Sequence, residues 1–556
     1  MLIGMIFENP GAPELRTRYR DPAALQGMGY QAIVIPGALA ALPGAGEGAE
    51  PPAAAWSAGR KPVELEAAID HQVKAARPLG MQVFFYGDAL LLPRPLVERH
   101  PEWLCEDGSG RLCAGKPAVY EAMQDQVEAL FARWPAAAGL VMRTDVATEG
   151  VPHMVGTPLH AGIGGACPAC RGIPLVERLA RFITQIHQTT SRLGKIYVHR
   201  TWQTVPQRGP SIHDDTTAYR ELSERLPASE QLVFSFRFAG GGFRKMEALN
   251  ACLRADGRPK WVELTCENAG EGKGAFPNYR APAWSELFAY LMAQGGSTGG
   301  AAGAADDLRK LGVWGWLRGG PWGGWGGPQV QREEWIDANV RALAELYREP
   351  ASPPADAATR WVAETFGVPE SSPPAPALAE LLMISACSIR KLLHVAALRS
   401  VGHEPPMPFV RDDVIDVEAI WLAAGRVVEA GRAAEALAEK DEALAGVDRM
   451  RQDFEIALPD LPNKTQARDL GNTLTYFGSF AGTVGNLFMG FVWFHQWAKG
   501  GRIDRELAAK CKRHLETAQG HWQQHTQWHA PLSGVASVFH ENGLWERTEG
   551  CLGALA

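Results

Sequence analysis

Neither a basic stripe nor an acidic block occurs in the 556 residues; 55 Lys and Arg are interspersed with 62 Asp and Glu, for a net charge of −7. That argues against a nucleic-acid binder, which concentrates its cations on one face. Anionic small ligands stay open, because a cleft can be locally positive on an acidic protein. Cysteine is sparse, at 9, and odd in number, which fits a reducing compartment better than a disulfide framework. The opening MLIGMIFENPG has no charged n-region, long apolar stretch or small-residue cleavage site, so as given it does not read as a secretory signal. A cytoplasmic location is the expectation, with secretion left open. No G-x-G-x-x-G follows an early strand, which counts against a doubly wound dinucleotide fold. Long apolar runs are missing with one exception, Leu470 to Ala498, which has no Asp, Glu, Lys or Arg. Its length would span a bilayer. Polar residues such as Asn472, Thr475, Asn486 and Gln496, and five glycines, interrupt it, so it reads as a buried helix or a dimer interface rather than a membrane span.

What is present has a rhythm. Eight short apolar runs recur in the first 320 residues: LIGMIF (2–7), AIVIPG (32–37), MQVFFYG (81–87), GLVMRT (139–144), KIYVHRT (195–201), QLVFSFRF (231–238), KWVELT (260–265) and GVWGWL (312–317). Continuous apolar runs are the mark of buried parallel strands. Amphipathic helical patterns lie between them, among them PVELEAAIDHQVKAARPLG and LVERLARFITQIHQTTSRLG. Eight strand–helix units predict an α/β fold, a (β/α)₈ TIM barrel over 1–350. Two proline-rich stretches suggest a linker over 351–378, and the pattern from 379 to 556 is helical throughout, predicting an α-helical C-terminal domain.

In such barrels the chemistry lies at the C-terminal strand ends. There the sequence places Glu8 and Asn9 after strand one, Tyr86 and Asp88 on strand three, and Arg143, Asp145, Glu149, His153 and His160 on and after strand four. Arg200 and Trp202 end strand five, Arg237 strand six, Glu263 and then Glu267 strand seven, and Arg318 strand eight. Arginine stays charged and pairs bidentately with carboxylates. Four arginines at strand ends point to an anionic ligand, although any one of them would serve equally well to neutralise a neighbouring acid. Carboxylates and histidines on several strands offer the two groups that glycosidic hydrolysis needs, one to protonate the leaving oxygen and one to act as base. The run VWGWLRGGPWGGWGGP carries tryptophans that would stack on sugar rings or close the barrel as core. Cys167-Pro-Ala-Cys170 is a single C-x-x-C, which Cys105 and Cys113 would complete to a zinc site. Read alone it points to free thiols or a local redox pair first, and no metal or cofactor is assigned.

The order of these motifs resembles the catalytic core of the α-glucuronidase family of glycoside hydrolases over roughly 138–350. GLVMRTDVATEG is similar to that family's strand-four segment, YVHRTW to strand five and ELTCENAGEG to strand seven. The resemblance implies Glu149 as catalytic acid, Glu267 as the carboxylate that activates water, and Arg200 as a matched arginine. The strand-six loop AGGGF lacks the Asp that this family carries there. The architecture also resembles the inverting exo-sialidases. That likeness implies Glu8 as base, His153 (or His160) as acid, and Arg143 and Arg200 as a clamp on the sugar carboxylate. Both resemblances imply an exo-acting, inverting hydrolase of a carboxylate-bearing sugar such as sialic or glucuronic acid. The substrate partner is an acidic-sugar glycoside, with no nucleic acid or membrane and with a homodimer through the C-terminal helices suggested by Gly478 and Gly482. A metal-dependent barrel lyase or isomerase, a carbohydrate-binding barrel without catalysis and a scaffold protein are the competing classes.

Overall fold

A computed structural model describes residues 1–7, 15–42, 61–144, 153–160, 165–202, 211–238, 249–268, 271–293, 311–319, 332–401, 409–411, 414–527 and 540–555. Eight parallel strands close into a barrel in sequence order: β1 (Leu2–Phe7), β2 (Ala32–Pro36), β3 (Gln82–Asp88), β4 (Gly139–Arg143), β5 (Ile196–Arg200), β6 (Leu232–Arg237), β7 (Lys260–Thr265) and β8 (Gly312–Gly319), with β8 pairing back onto β1. Each strand falls on one of the eight apolar runs, β3 and β8 running on past the ends of theirs. The barrel lies in one compact unit, Met1–Phe238, Leu249–Leu264 and Phe288–Gly326, and Thr265–Leu287 belongs with Gly327–Ala556 in a second.

The helices of the first unit include α1 (Pro22–Gly27), α2 (Pro62–Ala76), α3 (Pro117–Arg133), α4 (Leu175–Arg192) and α5 (Thr216–Glu224). Their boundaries follow local chemistry. The Asp21 carboxylate accepts the Ala23 N–H at α1, and the Asp215 carboxylate accepts the Thr217 N–H at α5. Pro62 and Pro117 occupy first-turn positions, where a missing N–H costs nothing. In α4, Leu175, Leu179, Phe182, Ile183, Ile186 and Thr190 recur at three- and four-residue spacing and are buried. A short antiparallel pair, Leu91–Pro93 with Met154–Gly156, links the segments that follow β3 and β4.

Strand residues alternate in direction, so every second side chain enters the barrel. At the floor, Phe84 and Trp261 meet edge to face with centroids 4.9 Å apart. Glycines make room for them: a Cβ at Gly312 would lie 2.1 Å from the Trp261 ring, and one at Gly139 would lie 2.9 Å from Phe84 and 2.3 Å from the Ile196 carbonyl. Above them the Trp314 Nε1–H donates to Ser235 Oγ at 2.8 Å, and Tyr86 lies 6.3 Å from the Trp314 ring. Packed layers of this kind make the barrel a core and not a pore.

The second unit is helical, with α6 (Ala281–Met292) crossing its border, then α7 (Glu334–Arg348), α8 (Pro354–Phe366), α9 (Pro374–Leu393), α10 (Val417–Glu429), α11 (Ala433–Ala457), α12 (Lys464–Lys499), α13 (Arg505–Gln527) and α14 (Leu544–Leu555). The stretch 351–378, expected as a linker, folds instead into α8 and the start of α9. Its prolines sit at helix starts, with Pro353 and Pro373 as N-caps and Pro354 and Pro374 at N1. The long apolar segment forms α12, and 83% of its most apolar window is buried inside the molecule. Its glycines serve packing within the chain. A Cβ at Gly482 would meet the His521 ring at 2.5 Å, and one at Gly490 would meet Leu515 at 2.6 Å. The loop after β7 is also part of this unit: Asn339 donates to the carbonyls of Cys266 (3.0 Å) and Asn278 (2.9 Å), and Tyr279 N–H donates to Ser385 Oγ at 2.9 Å.

Candidate functional site

Inward residues near the C-terminal ends of β3 to β8 form a charged layer. The Asp88 carboxylate accepts from Arg143 Nε at 2.5 Å and from Nη2 at 3.0 Å, and β3 and β4 are neighbours in register at this pair. Glu263 accepts from Arg200 Nε at 2.7 Å and from Nη2 at 2.8 Å, reaching from β7 past β6 to β5. Both pairs are bidentate, the geometry that fixes a guanidinium most firmly. Arg200 Nη1 also donates to the Tyr86 hydroxyl at 3.4 Å. Burial pushes the Tyr86 phenol up, against the pull of Arg200 and Arg143, so it is protonated at neutral pH.

Arg237 stands 3.7 Å from Glu263, its register partner on β7. Its guanidinium lies over the Trp202 ring at 4.7 Å and over Trp316 at 5.7 Å, while Arg200 lies over Trp316 at 5.4 Å. Such stacking orients a cation without neutralising it. Trp316 in turn stacks on Phe7 at 4.7 Å. Arg318, two residues beyond Trp316 on β8 and so on the same face, is 1% exposed. The indole N–H of Trp202 is buried with no protein acceptor among the described residues, although buried indoles ordinarily find one. The layer therefore holds four buried arginines and two carboxylates, Asp88 and Glu263, among the described residues.

The sequence-predicted residues divide accordingly. Tyr86, Arg143, Arg200, Trp202 and Arg237 come together, with Arg318 on the same face of its strand. Glu8, Asn9, Asp145 and Glu149 lie outside the described residues. His153 is buried at the start of the Met154–Gly156 strand, and its Nε2–H donates to the Ala40 carbonyl at 3.0 Å. Burial lowers its pKa, so the imidazole is neutral at pH 7. Glu267 is buried in the second unit, where the next residue, Asn268, takes a left-handed φ of 56° and donates to the Asn278 carbonyl. His199 faces the helix layer, outside the barrel, against Phe234, and its Nδ1 lies 3.1 Å from the Tyr197 hydroxyl. Two members of the layer, Asp88 and Glu263, were noted at strand ends from sequence but not as partners of its arginines. The signal that could have found them is alternation: each stands two residues from an inward aromatic, Tyr86 or Trp261.

No carboxylate or histidine of this layer forms a metal-ligating group among the described residues. Such a group occurs only at Cys105, Cys113, Cys167 and Cys170, where no metal was assigned from sequence. A small cavity of about 30 Å³ bounded by Ile33, Ile35, Leu65 and Ile69 lies outside the barrel, between β2 and α2, and brings no acid–base pair together.

No protein-family model and no curated protein matches the chain. Among solved structures, it is similar to a GH138 enzyme targeting pectin rhamnogalacturonan II, with a TM-score of 0.59 and 11% identity over 96% of this chain. The match covers 63% of that structure, so this chain spans about three-fifths of its length. It also matches a Thermobaculum terrenum O-GlcNAc hydrolase mutant (TM-score 0.37, 9% identity, covering 98% of this chain and 94% of that one). A third match is a Vibrio harveyi GH20 exo-β-N-acetylglucosaminidase in complex with N-acetylglucosamine (TM-score 0.38, 12% identity, covering 66% and 59%). Only the first bears on the fold, and at 11% identity it bears on nothing else.

Proposed function

We propose that the chain is an exo-acting glycoside hydrolase that releases a carboxylate-bearing sugar, a uronic or sialic acid, with inversion. The observation that carries this reading is the buried layer of four arginines against two carboxylates at the C-terminal end of the barrel. Burying charge is costly, and replacing a buried ion pair by apolar residues is often stabilising. Guanidiniums gathered and buried at the strand ends are therefore a poor device for stability and a good one for an anion. Its aromatic members suit a sugar: Trp316 and Trp202 offer ring faces, and the Trp202 N–H offers a donor for a hydroxyl.

Arg143 and Arg200 are already held bidentately, so they act as fixed positive centres. Arg237 and Arg318 are assigned with them to the substrate carboxylate, Tyr86 stands in the same layer, and Asn9 and Asp145 are further substrate contacts expected from sequence. For the acid and base, the depressed pKa of His153 speaks against the sialidase-like assignment, because a general acid needs a proton to give at the working pH. The glucuronidase-like assignment is preferred, with Glu149 as acid and Glu267 as the carboxylate that activates water. Glu8 is the alternative base. An inverting pair would stand about 6.5–9.5 Å apart to admit that water.

The test is a panel of fluorogenic α-glucuronide, α-galacturonide, α-sialoside and neutral glycosides. It is run on the wild type and on Glu149→Gln, Glu267→Gln, Glu8→Gln and His153→Ala. Turnover of acidic glycosides alone, abolished by Glu149→Gln and Glu267→Gln, is the expected result. Turnover of neutral glycosides alone contradicts the reading.

A further inference from the structure

Four cysteines from two connections converge in the first unit. Cys105 and Cys113 lie between the Leu91–Pro93 strand and α3, and Cys167 and Cys170 lie on the approach to α4. All four thiols are buried, and their Sγ atoms lie within 4.8 Å of one another. The Cys105–Cys170 distance is 3.9 Å and the Cys113–Cys167 distance 3.7 Å. Four thiolates about 2.3 Å from one zinc ion in a tetrahedron stand about 3.8 Å apart. A disulfide would hold its sulfurs at about 2.05 Å.

The backbone around the sulfurs is set for this geometry. Arg171 N–H donates to the Cys167 carbonyl at 3.0 Å, closing the Cys-Pro-Ala-Cys turn, and Lys116 N–H donates to the Cys113 carbonyl at 3.1 Å, closing a second turn. The two turns touch at Gly115, where a Cβ would lie 2.0 Å from the Ala169 carbonyl oxygen. Arg178, fully buried on α4, donates to the carbonyls of Cys170, of Leu159 at 3.1 Å and of Ile173 at 3.1 Å. Through the Cys170 carbonyl, Arg178 fixes the backbone of one of the four cysteines, as outer partners do around a metal site.

We infer that Cys105, Cys113, Cys167 and Cys170 hold one zinc ion as a structural tetrathiolate centre. Soft thiolates in a tetrahedral set select zinc over harder divalent cations. Four protein ligands, all buried, leave no open position for water or substrate, which makes the site structural and not catalytic. Binding replaces four thiol protons by one dication, leaving a centre of charge −2 beside the Arg178 guanidinium. Its place in the chain gives it a task. It ties the connection that follows β3 to the one that follows β4, and so anchors the latter where it enters α4. The inference does not depend on the substrate class, because the zinc content is read without any activity.

The test is metal analysis of the purified full chain, expressed with zinc and dialysed. One zinc per chain is expected, lost in Cys113→Ser and in Cys167→Ser and retained in Cys252→Ser, whose thiol lies outside the cluster. Because the cluster variants can fail to fold, the wild type is also produced with cobalt. The thiolate-to-cobalt charge-transfer absorption of a tetrathiolate site is expected there. A folded wild type without metal, iron in place of zinc, or an intact mass lower by two hydrogens per disulfide would each overturn the inference.

Discussion

The two ends of the barrel are built from opposite materials. The floor joins Phe84 and Trp261 to glycines 139 and 312, large against small, with no charge. The mouth puts Arg143 against Asp88 and Arg200 against Glu263, and adds Arg237 and Arg318, all buried. Both ends exclude water, but by different means. At the floor, shape complementarity lowers the energy. At the mouth, Arg143 and Arg200 are each held by a carboxylate on another strand. The difference separates the end that holds the barrel together from the end to which the proposed reading assigns the anion, in keeping with the division of labour common to this fold.

The comparison breaks most visibly at Arg200. Arg200→Ala leaves Glu263 buried without its bidentate partner, and a loss of about 3–5 kcal/mol in denaturant unfolding is expected. Activity should fall on the order of 10²–10³-fold, as for a lost charge-stabilising donor. The double variant Arg200→Met with Glu263→Leu should regain the stability and not the activity; regaining both would make the pair purely structural. Trp261→Ala at the floor should cost a similar amount, about 3–5 kcal/mol, with kcat per folded molecule unchanged. Gly312→Ala is a smaller intrusion, expected to cost about 1–3 kcal/mol because the Trp261 indole must move, and thermal unfolding with kinetics on the same sample measures both effects.

The effect that is smallest near neutral pH lies in the layer outside the strands. Burial pulls the His199 imidazole down to about 3, far below its unfolded value. The unfolded chain therefore binds the extra proton between about pH 6.5 and pH 3, so this contribution to stability is complete above about pH 6.5 and lost as pH falls through that window. His199 alone should add up to about 1.4 kcal/mol per pH unit to the acid slope. The double variant Tyr197→Phe with His199→Phe, which removes the imidazole and its hydroxyl partner together, should flatten the slope by one proton in unfolding curves taken across pH 4–7.

The barrel was legible in the sequence because strands buried on both faces need continuous apolar runs, and all eight runs carry their strand. The arginines at four strand ends were legible for the same reason, since a parallel strand's last residues are fixed by its length. Which acid meets which arginine was not legible. Arg200 and Glu263 are 63 residues apart and meet only because β5 and β7 flank β6 in the closed barrel. The cysteines pose the same problem, since Cys105 and Cys113 have no zinc-like spacing and become partners of Cys167 and Cys170 through the adjacency of β3 and β4. Pro353, Pro354, Pro373 and Pro374 misled for a local reason, because a helix's first turn and a linker use proline alike.

The central claim is that the mouth recognises a sugar carboxylate, and calorimetric titration with matched pairs tests it most directly. The pairs are galacturonate with galactose, glucuronate with glucose, and N-acetylneuraminate with its methyl ester. At least one acid is expected to bind about tenfold or more tighter than its neutral twin, an advantage of about 1.4 kcal/mol, and Arg237→Gln is expected to erase it. Equal binding of acid and neutral twin in all three pairs, or an advantage that survives Arg237→Gln and Arg318→Gln together, would contradict the account.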